Sequence, residues 1–262
     1  MTKSSSRKLL PKPKNGSFEG ISNKFQKNIY ATMKGQIRLA VLARDLEPWL
    51  TNSSRVLDVG AGLGQASQPF AKAGARVVHT DIAADMVSAA QQAHSSAGLA
   101  SQYEYAVCAI TELAQQVSGQ FDVILCHAVL EWLAEPEQLL SQLKPFLTPT
   151  GILSLMFYNQ DAKRFANMIY GNFDYVQADL QVKKTVRLSP HHPQAPAQVL
   201  AWAEVAGFKR LHYSGVRCIH DYLRNPQRDQ HAPQLMALEL EYSTQSPYRE
   251  LGRYQHFILQ QR

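Results

Sequence analysis

The ten residues Val56–Gln65, VLDVGAGLGQ, are those whose types and spacing point most directly to chemistry. An apolar run containing Asp58 enters a turn built on Gly60, Gly62 and Gly64, with Ala61 and Leu63 between them. Glycine adopts positive φ freely and lets a ligand approach the backbone, while a helix start behind such a turn offers unpaired N–H groups. A dinucleotide fingerprint has two residues before its third glycine, where the pyrophosphate meets the helix. Here Leu63 alone separates Gly62 from Gly64, so an NAD-dependent oxidoreductase fits poorly. Asp81, seventeen residues after Gly64 at the end of the next apolar run, can accept both hydroxyls of a ribose. His127, at the exit of the fourth run, is a candidate contact for cofactor or substrate.

The elements that must position these residues alternate. Short apolar runs at 55–59, 77–80, 103–108, 121–126 and 152–157 read as strands, and helical spacing occupies 65–72, 85–94, 111–117 and 136–147. Thr148–Gly151 reads as a turn. A helix over 195–206 and strands near 209–216 and 256–260 follow. Strict βαβα order with apolar strands predicts an α/β fold with a mostly parallel sheet of seven strands and helices on both faces. Residues 21–262 read as a single domain, with 21–50 as an N-terminal helical cap and 160–195 as an insertion after strand 5, too long for an idle connection. Residues 1–20 read as a disordered basic tail.

Charge is unevenly spread along the 262 residues. Residues 1–55 hold eleven Lys/Arg against three Asp/Glu, 56–150 three against nine, and 151–262 thirteen against nine. Basic flanks around an acidic centre fit an anionic partner. Cys108, Cys126 and Cys218 have no metal or redox spacing, and the nine histidines form no ligand pattern, so no metal is expected. No apolar run reaches about eighteen residues, so neither a membrane span nor a membrane partner is expected, and the predicted location is cytoplasmic.

The D-x-G-x-G-x-G form at 58–64 resembles the first motif of class I S-adenosylmethionine-dependent methyltransferases, which are Rossmann-like. Their cofactor carries an ammonium and a sulfonium, which suits the acidic centre. A closer resemblance runs from about residue 22 to 260. Asn28-Ile29-Tyr30, Lys34-Gly35-Gln36 with Arg38, HAVLEWL at 127–133, LSLMFYN at 153–159, GNFDYVQA at 171–178, Gly215-Val216-Arg217 with His220-Asp221-Tyr222-Leu223, and Leu251-Gly252-Arg253-Tyr254 with His256 are similar to the bacterial tRNA 5-carboxymethoxyuridine methyltransferases. GNFDYVQA and the GVRxxHDYL stretch are the most particular, since they lie outside the shared cofactor machinery. Ala61 stands where the family is expected to carry glycine.

This resemblance implies S-adenosyl-L-methionine as cofactor and methylation of the wobble nucleoside in a tRNA anticodon loop, giving its methyl ester. It also implies cofactor contacts from Arg38, the Gly60–Ala61 turn, Asp81, the Ile110 region and His127. Ala109 stands where these enzymes often carry an aspartate on the adenine amino group, so the adenine is expected to be held by the backbone around Ile110 and Thr111, with Ile82 packing on its face. A carboxylic acid with pKa about 4 is already ionised at neutral pH, so no catalytic residue is expected. What is needed is alignment and a cation to orient the carboxylate. Lys34, Arg217 and His220 are the candidates, with Tyr30 and Tyr222 as donors or stacking platforms. Lys163, Arg164, Lys183, Lys184 and Arg187, interleaved with Phe165, Tyr170, Phe173 and Tyr175, suit an RNA loop. The competing readings are a methyltransferase for a small carboxylated or phenolic metabolite and a catalytically silent RNA-binding protein.

Overall fold

The computed structural model describes residues 32–52, 54–181, 192–224 and 231–262. The expected tail, residues 21–31 of the cap, Tyr30, Lys183, Lys184 and Arg187 lie outside the described residues. Seven strands form one sheet: β1 (Arg55–Val59), β2 (Arg76–Asp81), β3 (Tyr103–Val107), β4 (Phe121–His127), β5 (Leu147–Tyr158), β6 (Phe208–Val216) and β7 (Tyr254–Gln261). Their order is β3-β2-β1-β4-β5-β7-β6. Pairs among the first five are parallel, and β7 runs antiparallel to both β5 and β6. The predicted mostly parallel, seven-stranded α/β sheet is the one observed.

Nine helices surround it: α1 (Met33–Leu46), α2 (Gln68–Lys72), α3 (Ala84–Ser96), α4 (Leu113–Gln116), α5 (Leu139–Leu143), α6 (Gln160–Ile169), α7 (Phe173–Gln177), α8 (Pro196–Val205) and α9 (Ala232–Tyr242), counted among the described residues. Alternation along each strand divides the core in two. Leu57, Val59, Ile124, Cys126, Leu153 and Leu155 face Leu113, Leu139 and Val199, which come from α4, α5 and α8. Val56, Val123, Leu125, Ile152 and Met156 face Ile37, Val41, Phe70 and Leu235, which come from α1, α2 and α9. Helices therefore cover both faces, and the loops at the C-terminal ends of the parallel strands are left free for a ligand.

The sequence reading departs from the structure in three places. Helix α2 begins at Gln68 rather than Gln65, because turns through Gln65–Ser67 complete the glycine loop first. Thr148–Gly151 is part of β5, not a turn. Leu147 pairs with Phe121 and Ile152 with Val123, so the extra residues are absorbed as a bulge. Helix α9 is not read in the sequence at all. Its Glu239 is fully buried and accepts the backbone N–H groups of Cys218 (2.7 Å), Ile219 (3.1 Å) and His220 (2.7 Å).

That carboxylate pins the loop after β6. Replacing Glu239→Ala leaves three buried N–H groups without an acceptor, and the expected loss is about 3 kcal/mol of folding stability, read by urea unfolding. A loss under about 0.5 kcal/mol contradicts this role.

Candidate cofactor and substrate site

At the C-terminal end of β1 the chain turns through Gly60, Gly62 and Gly64 with φ of +62°, +59° and +71°. Gly60 is needed on two counts: its φ is left-handed, and a Cβ there would stand 2.5 Å from Cγ2 of Val129. A Cβ on Gly64 would stand 2.7 Å from Nε2 of His94, which packs behind the turn with Tyr103. Three of the turn's own amides are engaged. Ala61 donates to the Thr80 carbonyl, Gly64 to the Ala61 carbonyl, and Gly62 to Oδ2 of Asp81 (2.9 Å). With those donors spent, the turn suits a ligand that itself donates, and a sulfonium nucleoside with a free ammonium is such a ligand where a pyrophosphate is not.

Asp81 also accepts the N–H of Ala83 through Oδ1 (2.9 Å), which sets the start of α3. Each oxygen keeps a lone pair, so both ribose hydroxyls can still be received. Burial is the largest influence on its carboxyl and raises it. Asp58 lies below the turn with Oδ2 lacking a partner among the described residues. Burial pushes its carboxyl up to about 7, Ser67 pulls it down, and Asp81 adds to the rise. Beside the turn, a slot between Ile82, Ile110, Leu113, Val129, Trp132 and Leu133 has apolar walls, which suit the face of a base. The Ala109 N–H at its rim is taken by Glu112 (3.1 Å). Thr111 is exposed and outside this slot. Trp132 was not singled out from the sequence, although it lies within the HAVLEWL stretch.

The exit of β4 brings His127 to the same end of the sheet. Its Nε2 lies 2.8 Å from Oγ of Ser154, and burial, with His256 and Arg38 nearby, lowers its pKa well below the ordinary histidine value. The ring is therefore neutral at physiological pH. Ala128 follows with φ of +59°, a strained value for alanine that swings the chain into the 3₁₀ turn Leu130–Trp132. That turn buries Glu131 completely. Neither of its oxygens makes a well-formed hydrogen bond among the described residues. Burial pushes the Glu131 carboxyl up to about 7, against the pull of the Glu131 and Tyr158 N–H groups and the Arg38 guanidinium.

A second group of charges gathers around Asp221. Arg217 Nη2 lies 3.0 Å and Arg253 Nε 3.6 Å from its Oδ2, and His220 Nδ1 lies 3.0 Å from its Oδ1. With Lys34 also acting on it, the Asp221 carboxyl is held at about 2: the His220 bond, Arg217 and Arg253 outweigh burial. Tyr254 is sandwiched by cations, with the Arg38 guanidinium 4.6 Å and that of Arg217 5.3 Å from its ring centre. Arg253 lies 4.8 Å over Tyr158. Arg217 is buried in a left-handed conformation (φ +63°), and its Nε has no partner among the described residues. Lys34, Arg217 and Arg253 thus outnumber Asp221, the carboxylate they act on, with Arg38 adding a further cation beside Arg217, which is the electrostatic signature of an anion site. Lys34, Arg217, His220 and Tyr222 are brought together here. His220 is only 2% exposed, and the Tyr222 hydroxyl donates to the Leu251 carbonyl (2.7 Å) while its ring meets Phe165. Arg253 and Tyr158 were missed as site residues, although both lie in family-like stretches.

An apolar slot, a strand-end carboxylate and a glycine turn at the C-terminal edge of this sheet fit a class I S-adenosylmethionine-dependent methyltransferase. Residues 57–155 match the family described as "Methyltransferase domain". The chain is 44% identical over 246 residues to the tRNA 5-carboxymethoxyuridine methyltransferase of Escherichia coli (strain K12), covering 92% of this chain and 94% of that one. It is 32% identical over 195 residues to the ubiquinone biosynthesis O-methyltransferase of Xanthomonas axonopodis pv. citri, covering 73% and 76%. Among solved structures, the [4+2]-cyclase SpnF superposes with a TM-score of 0.58 at 17% identity over 87% of this chain and 82% of that one, a likeness of fold alone. The chain belongs to the tRNA 5-carboxymethoxyuridine methyltransferase family, and its methyl donor is S-adenosylmethionine.

The raised Glu131 carboxyl has a consequence for stability. A carboxyl whose folded value is raised stabilises the fold below its unfolded value, about 4.3, and loses that contribution as pH rises through about 7. Glutamine carries no such penalty. Glu131→Gln is therefore expected to raise the stability of the ligand-free protein relative to wild type by about 2 kcal/mol at pH 8 and much less at pH 5, by thermal melts at both values. Equal differences at the two pH values count against a buried, ionising Glu131.

Proposed function

We propose that this chain methylates the carboxylate of 5-carboxymethoxyuridine at the wobble position of tRNA, forming the methyl ester 5-methoxycarbonylmethoxyuridine. The observation that carries this reading is the cation cluster at Tyr254: Arg217 is buried, has an unpartnered Nε, and shares that ring with Arg38 beside the cofactor pole. An anion satisfies the unused donor and relieves the repulsion between the two guanidiniums. The cofactor supplies an electrophilic methyl group on a sulfonium. The substrate carboxylate is ionised without help, and methylating it releases no proton, so the chain needs no general base. Arg217 and Arg253 orient the carboxylate, and Asp221 holds both arginines in place. The glycine turn, Asp81 and the slot lined by Trp132 hold the donor end, with Arg38 and His127 at its amino-acid pole.

The rest of the RNA meets the insertion. Helices α6 and α7 leave Tyr170 and Phe173 exposed, the latter by 62%, with Lys163 and Arg164 alongside. Exposed rings and cations on one short stretch suit the splayed bases and phosphates of an anticodon loop. A tRNA substrate supports a cytoplasmic location.

Mass spectrometry of tRNA nucleosides from cells lacking this protein tests the reading. Carboxymethoxyuridine is expected to accumulate and its methyl ester to vanish; an unchanged nucleoside profile overturns it. Within the site, Arg217→Ala is expected to cut kcat/KM for the modified tRNA by about a hundredfold, as expected for losing a charge-assisted pair. S-adenosylhomocysteine affinity should change by less than about threefold, and a parallel loss of both contradicts the assignment.

A further inference from the structure

Behind His127 runs a chain of buried polar groups that the methyl transfer does not itself use. Oδ2 of Asp45 on α1 lies 2.8 Å from Nδ1 of His256 on β7. Nε2 of His256 lies 2.7 Å from Oγ of Ser154 on β5, and that oxygen lies 2.8 Å from Nε2 of His127 on β4. Ser154 and His256 are fully buried, and Asp45 is 6% exposed. Four elements thus contribute one side chain each to a line of three hydrogen bonds. Buried polar groups are costly unless each is satisfied, so such a line fixes its members' orientations.

With His256 neutral, the donor and acceptor inventory sets the remaining protons. Asp45 is ionised, held far below the ordinary carboxylate range by His212, His256 and Arg44 against its burial. As a pure acceptor it takes the proton on Nδ1 of His256. A neutral His256 therefore presents a bare Nε2, to which only the Ser154 hydroxyl can donate. The serine oxygen must in turn accept from Nε2–H of His127, and Nδ1 of His127 is left as a lone pair. That Nδ1 is buried and has no partner among the described residues. Because esterifying an ionised carboxylate releases no proton, the line has none to conduct during turnover. Its use is in orientation.

We propose that Asp45, His256 and Ser154 are positioning residues that present Nδ1 of His127 as a fixed hydrogen-bond acceptor to an N–H donor of the bound cofactor, its ammonium group. This rests on the reading of the β4 exit as the amino-acid pole of the cofactor. A ring free to flip or change tautomer would offer a donor to that cation half of the time and lose the bond.

Nitrogen NMR of histidine-labelled, full-length protein reads the tautomer directly. In wild type Nδ1 of His127 is expected to be unprotonated; a protonated Nδ1, which a cationic His256 would impose through Ser154, overturns the proposal. Calorimetry supplies the second readout. Ser154→Ala should weaken S-adenosylhomocysteine about tenfold, the value of one hydrogen bond to a charged group. Binding of methylthioadenosine, which lacks the ammonium, should be unaltered, a split that general loosening of the fold would not produce. Ser154→Thr keeps the hydroxyl and should restore binding, and should Ser154→Ala not fold, the wild-type tautomer and the threonine variant still decide. Equal weakening of both ligands, or of neither, overturns the relay. A wild-type protein that binds no S-adenosylhomocysteine overturns the cofactor reading and this role with it.

Discussion

One carboxylate couples the two halves of the cofactor site. Asp81 receives Gly62 from the turn after β1 and Ala83 from the start of α3, so the glycine loop and the second crossover are fixed relative to each other by one side chain. The turn itself cannot supply this. Its three glycines all have positive φ, a conformation with little intrinsic preference, and its own bonds only close it locally. Without Asp81 the apolar slot beside it, bounded by Ile82 on one side and Val129 on the other, would have no fixed width.

The site keeps two kinds of charge apart. Raised carboxyls, Asp58 and Glu131, lie beneath the donor pole, where a cationic ligand rewards their ionisation. Guanidiniums gather around Asp221 and the rings of Tyr158 and Tyr254. In a poorly solvated cleft such separation sets the direction in which a cationic donor and an anionic acceptor face each other. Arg38 stands at the boundary: it packs on Tyr254 beside Arg217 and also acts on Glu131 and His127.

The α/β alternation, the number of strands and the glycine turn were legible because each is written in local residue types: short apolar runs, a G-x-G-x-G spacing, an aspartate at a strand end. What escaped was set by distance. Asp45 and His256 are far apart in the chain and meet only because β7 inserts beside β5. Glu239 looked like an ordinary helical glutamate, and no pattern in its neighbours reveals that it receives three amides from the loop after β6. Arg253 and Tyr158 were visible as family-like residues, but nothing in their spacing says that one stacks on the other. The engagement of the Ala61 and Gly62 amides was hidden for a related reason: their acceptors, the Thr80 carbonyl and the Asp81 carboxylate, belong to the next strand.

The reversed strand β7 also governs when the site can exist. It fills the gap between β5 and β6, and its first residue, Tyr254, carries the ring shared by Arg38 and Arg217. During synthesis β5 emerges about a hundred residues earlier and waits with one edge unpaired, an invitation to improper strand addition until the final segment leaves the ribosome. A nascent chain can therefore complete the apolar slot beside its glycine turn well before Tyr254 joins Arg38 and Arg217, and a product cut short before residue 254 would retain the former while exposing that edge.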